Sequence, residues 1–162
     1  MSRIPRRPAS WLADMPRRAR IEGDARRAFP DLRYRRCQTR SGPVHTYEAV
    51  VRVPGYDSRS VWIEFWVPLS SSPRIYTDGP AGASVSPHRF ADRGWTRLCV
   101  WHPGDPVDRR WVPDDGLLKL FGMIETHLLK EAWWRETGEW LGDEAPHGPL
   151  SDSDDFGERD TA

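Results

Sequence analysis

Cys99 is the residue in this chain whose type and setting offer the most chemistry. It lies in residues 84–113, S-V-S-P-H-R-F-A-D-R-G-W-T-R-L-C-V-W-H-P-G-D-P-V-D-R-R-W-V-P, a segment with little regular periodicity. Pro87 and Gly94 precede the cysteine, and Pro103, Gly104 and Pro106 follow it. Proline removes a backbone donor and clashes with the preceding turn, so the segment is not a helix and reads as a loop. A loop stiffened by prolines and tryptophans is a common way to present one reactive side chain. A second reading stands beside this one. Cys99 sits between Leu98 and Val100, and a free cysteine is among the most often buried residue types. Reactivity depends on local pKa and exposure, which spacing does not give.

The elements that must hold this loop lie on either side of it. Residues 10–28 predict helix, with Ser10 as a cap. Pro16 leaves two versions open, two short helical pieces or one helix starting near Met15. The period then changes. Leu32–Thr39, Thr46–Val53 and Val61–Val67 are short runs rich in β-branched and aromatic residues, separated by S-G-P and P-G-Y-D-S-R-S. A shorter fourth strand is expected over Arg74–Thr77, and residues 78–83 read as a loop. Short links between consecutive strands predict an antiparallel meander. After the Cys99 loop, Leu117, Leu120, Phe121, Ile124 and Leu128 recur at helical spacing, which predicts an amphipathic helix packed on the sheet, capped by Asp114 or Asp115. A second helical piece is expected over Leu129–Trp140, ended by Gly142. Residues 1–10 read as a flexible start, 11–147 as the domain, and 148–162 as an acidic disordered tail.

Composition narrows the function classes. The 24 Lys+Arg residues balance 24 Asp+Glu, so net charge argues for neither a nucleic-acid binder nor an acidic protein. Arginines crowd the first forty residues, but no aromatic interleaving marks them as a nucleic-acid site, and they read as a solvated face. No apolar run approaches the roughly 20 residues that span a bilayer. The two cysteines, Cys37 and Cys99, show no CxxC and no metal spacing. Without a secretory signal they are expected to be reduced thiols of a cytoplasmic protein. No cofactor, metal, nucleic acid or membrane is expected.

The order of elements (helix, antiparallel meander, proline-rich loop with one cysteine, helix) resembles the ubiquitin-conjugating-enzyme fold, an α+β architecture with a four-stranded meander. The similarity covers about residues 15–130. I-E-F-W-V-P-L-S-S-S-P-R-I-Y-T stands where that family has a strand and then a Y-P-x-x-P-P-x-V turn, here reduced to Ser71, Ser72 and Pro73. S-P-H-R-F stands near its H-P-N motif, G-W-T-R-L-C-V-W is similar to its catalytic G-x-I-C-L-x segment, and R-W-V-P is similar to its W-S-P. The chain is closer still to a bacterial branch, the ubiquitin-conjugating-like proteins of type II CBASS antiphage systems. That branch has P-H-x-[FY]-x-D-G-x-L-C-L-x-x-P and a tail W-x-x-T-G-x-W-x-G-x-x-x-H. Here these read P-H-R-F-A-D-R-G-W-T-R-L-C-V-W-H-P and W-R-E-T-G-E-W-L-G-D-E-A-P-H. The tail is the more specific, since general conjugating enzymes lack it. The Asn of H-P-N is absent, with His88 and Arg89 nearest.

The resemblance implies thioester chemistry. Cys99 would accept the C-terminal carboxyl group of a cGAS-like nucleotidyltransferase and pass the acyl group to an amine. A thiolate is both a good nucleophile and a good leaving group. Backbone N–H groups of the loop would stabilise the oxyanion. His102, three residues on, and His88 are candidates to lower the Cys99 pKa or act as base; loop packing is the alternative for both. No activating-enzyme domain accompanies the motifs, which implies the short form of the system, acting alone on its partner. Trp111 and Pro113 are expected to fix the loop against the helix. Trp95 and Trp101 offer a channel for the bound tail or plain packing, and Trp133, Trp134 and Trp140 offer core or a partner face. Cys37 is expected to be a buried or incidental strand thiol. Lys119 and Lys130 are the only lysines, so self-conjugation would have few side-chain acceptors.

Overall fold

The computed structural model describes residues 11–67, 72–79, 86–102 and 104–142. The expected flexible start, the acidic tail, most of the 78–83 loop, Ser71, Pro103 and His147 lie outside them. Within the described residues the chain is α+β, with two α-helices and one six-stranded antiparallel sheet.

Helix α1 spans Met15–Ala28, and Asp14 caps it by accepting from the Arg17 N–H at 3.1 Å. The later of the two helix starts is therefore the one adopted. Pro16 falls in the first turn, where its missing N–H costs nothing. Strands β1 (Arg33–Thr39), β2 (Gly42–Val51), β3 (Arg59–Trp66) and β4 (Arg74–Thr77) form the expected meander. Two further strands, β5 (Arg89–Asp92) and β6 (Trp95–Leu98), extend it in the order β1-β2-β3-β4-β6-β5. The expectation of four strands is thus corrected to six. The added pair is a hairpin inside the stretch that reads as irregular loop. Its two-residue turn, Arg93-Gly94, has φ of 50° and 82°, the left-handed pair that matches strand twist.

Helix α2 runs unbroken over Gly116–Thr137. The expected break near Leu129 and stop at Gly142 are corrected: no breaker interrupts 129–137, and Gly138 in the left-handed region (φ 78°) ends the helix, its N–H donating to Trp134 O at 2.7 Å. The predicted stripe Leu117, Leu120, Phe121, Ile124 and Leu128 is buried, and it continues through Glu131 and Ala132.

Both helices contribute to one core with the inward residues of the sheet, among them Tyr47, Ala49, Val51, Val61, Ile63, Phe65, Ile75 and Leu98. Trp111 is buried against Phe65, and its indole N–H donates to Gly116 O at 2.8 Å. It ties the segment after Cys99 to the start of α2, as expected. The opposite sheet face carries an aromatic ladder: Trp62 stacks on Tyr76 and meets Trp95 edge-on, and Arg74 and Arg93 lie over Trp66.

A second tie joins the hairpin to the far end of α2. Arg89, at the start of β5, donates from Nε to Glu131 Oε1 at 2.5 Å and from Nη2 to Glu131 Oε2 at 3.0 Å, with both side chains fully buried. Arg135 shares the same carboxylate at 3.2 Å. Two charges out of water are costly unless paired and hydrogen-bonded, and a bidentate guanidinium–carboxylate pair meets that condition. Removing one partner leaves the other charged and buried. We predict that Arg89→Met lowers stability by about 3–5 kcal/mol in urea unfolding, and that Arg89→Met/Glu131→Leu recovers much of the loss. Equal stability of Arg89→Met and the native protein would contradict the burial of this pair.

Candidate active site around Cys99

Cys99 follows the last residue of β6. Leu98 and Arg89 are cross-strand partners on the core side, so the buried ion pair fixes where the strand ends. One residue further, the Cys99 N–H donates to His88 O at 2.9 Å, which extends the hairpin ladder by one bond. The side chain is partly exposed, and its Sγ–H donates to the Trp101 carbonyl at 3.5 Å. Neither cysteine is in a disulfide. Cys37 lies exposed on β1, incidental rather than buried.

The three candidate residues are placed differently. His88 meets Cys99 through its backbone. Its ring packs on Trp140 (centroids 4.3 Å apart) and edge-on to His127 at 5.8 Å. Its φ of 64° puts a non-glycine residue in the left-handed region, where histidine is tolerated better than most. His102 is exposed and engaged in its own turn. Its Nδ1 accepts from the Gly104 N–H at 3.0 Å, and its N–H and carbonyl exchange bonds with Asp105. The hydrogen-bond partner of the thiol is a carbonyl rather than either histidine.

Burial pushes the Cys99 thiol above its ordinary value; Arg97 pulls it back and Asp105 adds to the rise. The cation acting on the sulfur is therefore an arginine two residues upstream, which the motifs do not single out. Arg97 lies over the Phe90 ring at 5.2 Å and 3.8 Å from Asp92. Its Nε has no hydrogen-bond partner among the described residues. The sequence signal for it is the alternation R-F-A-D-R-G-W-T-R-L around an x-Gly turn, which places Arg97 on a strand.

The tryptophans separate by role. Trp101 packs on the core, whereas Trp95 is 61% exposed. Trp140 closes over His88 and His127, and Trp133 is exposed on α2. His127, buried on α2, falls within the same helical stripe, three residues after Ile124, where its type gives no sign of a contact with His88. No group of His, Cys, Asp and Glu among the described residues is arranged to hold a metal ion. No helix among them is long and apolar enough to cross a membrane.

In chemical terms the site is one half-buried thiol, protonated near neutrality, on a strand end held from behind by an ion pair. Against protein-family models and against well-characterised proteins the sequence shows no match.

Because its pKa is raised, Cys99 carries less thiolate than an ordinary cysteine at neutral pH and gains it only as pH climbs. Mass spectrometry after limited iodoacetamide treatment at about pH 7.5 is expected to show exposed Cys37 alkylated before Cys99. The Cys99 rate should keep rising into the alkaline range. Arg97→Gln should slow it further and Asp105→Asn should speed it. A Cys99 faster than Cys37 at that pH would reverse this assignment.

Proposed function

We propose that the chain is a ubiquitin-conjugating-like protein of a type II CBASS antiphage system, acting as a thioester acyltransferase through Cys99. The observation that carries the reading is the position of Cys99: a partly exposed thiol at the exit of a strand, following a helix and an antiparallel meander and preceding a long helix. The motifs P-H-R-F-A-D-R-G-W-T-R-L-C and W-R-E-T-G-E-W support it. The six strands and the missing Asn depart from the family pattern.

On this reading the Cys99 thiol loses its proton and attacks the C-terminal carbonyl of a cGAS-like nucleotidyltransferase. That carbonyl must arrive activated, as an adenylate or a thioester, because a free carboxylate has no competent leaving group. The tetrahedral intermediate collapses with departure of the activating group. An amine then attacks the new thioester, the sulfur leaves, and an amide remains; the modified nucleotidyltransferase is thereby primed for cyclic-nucleotide synthesis. Arg97 favours the thiolate; the Cys99, His102, Gly104 and Asp105 N–H groups are committed within the fold, so donors for an oxyanion would come from Val100, Trp101 or the partner. Lys119, near the start of α2, is held by Asp115 at 2.9 Å.

A second reading is a non-catalytic module of the same fold that holds the nucleotidyltransferase by its surface. The protonated, carbonyl-bonded thiol favours it. A third, a conjugating enzyme of a bacterial ubiquitin-like pathway, is separated by gene neighbourhood: a ubiquitin-like protein and a deubiquitinase in place of a nucleotidyltransferase and an effector.

The deciding experiment incubates the protein with the nucleotidyltransferase whose C-terminus has been converted to an activated thioester, and reads a non-reducing gel. The acyltransferase reading expects a covalent band lost with dithiothreitol and absent in Cys99→Ala. A complex unchanged in Cys99→Ala, with no covalent band, assigns the module instead.

A further inference from the structure

A cavity of about 500 Å³ lies away from the Cys99 hairpin, where the entry to α1 crosses the β1–β2 edge of the sheet. That volume is within the range of small-molecule sites, roughly 300–1,000 Å³. Leu12, Ala13, Met15, Pro43 and Val67 supply apolar walls; Arg18, Tyr34, Arg36 and His45 supply the polar ones. Met15 is 62% exposed at the cavity, and its sulfur accepts from Arg18 Nη2 at 3.1 Å.

The polar groups are ordered among themselves. Arg18 donates from Nη1 to the Tyr34 hydroxyl at 3.1 Å, and its guanidinium lies over the Tyr34 ring at 4.9 Å. The Tyr34 hydroxyl in turn bonds His45 Nδ1 at 2.8 Å. With Nδ1 accepting, the ring is the neutral Nε2–H tautomer. Burial holds His45 below its ordinary pKa, and the fields of Arg18 and then Arg36 press the same way. Both guanidiniums therefore act on the inside of the cavity.

Charge there is unbalanced. Among the described residues no carboxylate lines the wall. Glu22, one turn along α1 from Arg18, is shared by Arg18 at 3.4 Å and Arg26 at 3.3 Å and also accepts from the Tyr47 hydroxyl at 2.8 Å. Arg36 has no acidic partner among the described residues. An apolar cleft with one guanidinium, Arg36, lacking an acidic partner among the described residues, and a second, Arg18, adding its field, is complementary to an anion on an apolar body. The planar fork of a guanidinium suits a carboxylate.

We propose that this cavity binds a small organic carboxylate, its apolar body among Leu12, Met15, Pro43 and Val67 and its carboxylate against Arg36 and the Arg18–Tyr34 edge. The site uses none of the groups around Cys99, so it stands or falls separately from the thioester chemistry. Substrate-like, regulatory and stabilising ligands share this chemistry, and the cavity selects by charge and size.

The test uses the full chain and two probes of equal shape, 4-phenylbutyrate and 4-phenylbutyramide, by calorimetric titration and by NMR of the Met15 methyl and His45 ring. The acid is expected to bind and to move both signals, and the amide to bind about tenfold more weakly or less, the worth of one charge-assisted hydrogen bond. Arg36→Gln, on an exposed edge strand, should keep its Tm and weaken the acid by a similar factor. Equal binding of acid and amide, binding indifferent to Arg36→Gln, or the absence of any shift at Met15 and His45 with either probe at millimolar concentration would each overturn the assignment.

Discussion

The Arg89–Glu131 pair decides where the thiol sits. Glu131 lies near the end of α2, and Arg89 opens β5. Their bidentate contact draws the β5–β6 hairpin onto the helix layer, and the Arg89–Leu98 register then sets the end of β6. Cys99 is the next residue. Its position is thus measured from a buried charge rather than from the loop that follows it. A pair of this kind contributes little net stability compared with packed apolar side chains, but it tolerates few alternative arrangements. Any slip of the hairpin by one residue would move Arg89 to the outer face and strand Glu131 without its guanidinium.

Strain gathers at the same place. His88 precedes Arg89 with a left-handed backbone, and its carbonyl takes the Cys99 N–H. The ring is pinned between Trp140 and His127. Trp140, just past the C-cap of α2, therefore packs on the residue that leads into the hairpin, so the helix end, the strand start and the thiol share one set of contacts. Backbone in a sparsely populated region persists only where its surroundings over-determine it, and here an ion pair and two aromatic rings do so. The segment beyond Cys99 is held differently, by the Trp111 indole on Gly116 O and by the His102–Asp105 turn. The thiol lies between two anchors of unlike chemistry.

Much of this is legible from residue patterns, and the failures have physical reasons. The β2 and β3 strands alternate buried and less buried residues over most of their length, and α2 repeats leucines and phenylalanine at helical spacing; period carries both. The β5–β6 hairpin reads as loop because each strand is short and Arg89, Asp92, Arg93 and Arg97 dilute its apolar alternation. The Arg93-Gly94 turn is the available signal. The ion pair is invisible for a simpler reason: arginine and glutamate are assigned to the surface by default, and only a partner supplied by tertiary structure makes their burial tolerable. Glu131 does leave a trace, since it continues the buried stripe that begins at Leu117 and passes through Ile124 and Leu128 at helical spacing. Nothing in the residues interrupts α2 at Leu129, where a second helical piece is expected to begin, and it is Gly138 rather than Gly142 that supplies the left-handed C-cap. Of the site, Cys99 is found by its setting. Arg97 is not, because an arginine on an unrecognised strand has no assigned direction.

Desolvation of the sulfur acts on two steps with opposite consequences. A raised pKa cuts the thiolate fraction in full proportion, while intrinsic nucleophilicity recovers only about half of that on a logarithmic scale. On the proposed reading, attack on an activated carbonyl would be slowed in the free protein. The same shift makes the sulfur a poorer leaving group, so an acyl group carried there would be lost less readily to water, and partial burial restricts water further. Arg97 works against both effects by favouring the charged sulfur. On the proposed acyltransferase reading, the balance between burial and this one guanidinium would set whether Cys99 is quick to load or slow to leak. A bound partner that covers the site would shift it toward retention unless it also brought a positive charge. The outer face of the hairpin carries exposed Trp95 with Arg93 and Arg97 beside it, so positive charge already lies on the side of the strand from which Arg97 acts on the sulfur.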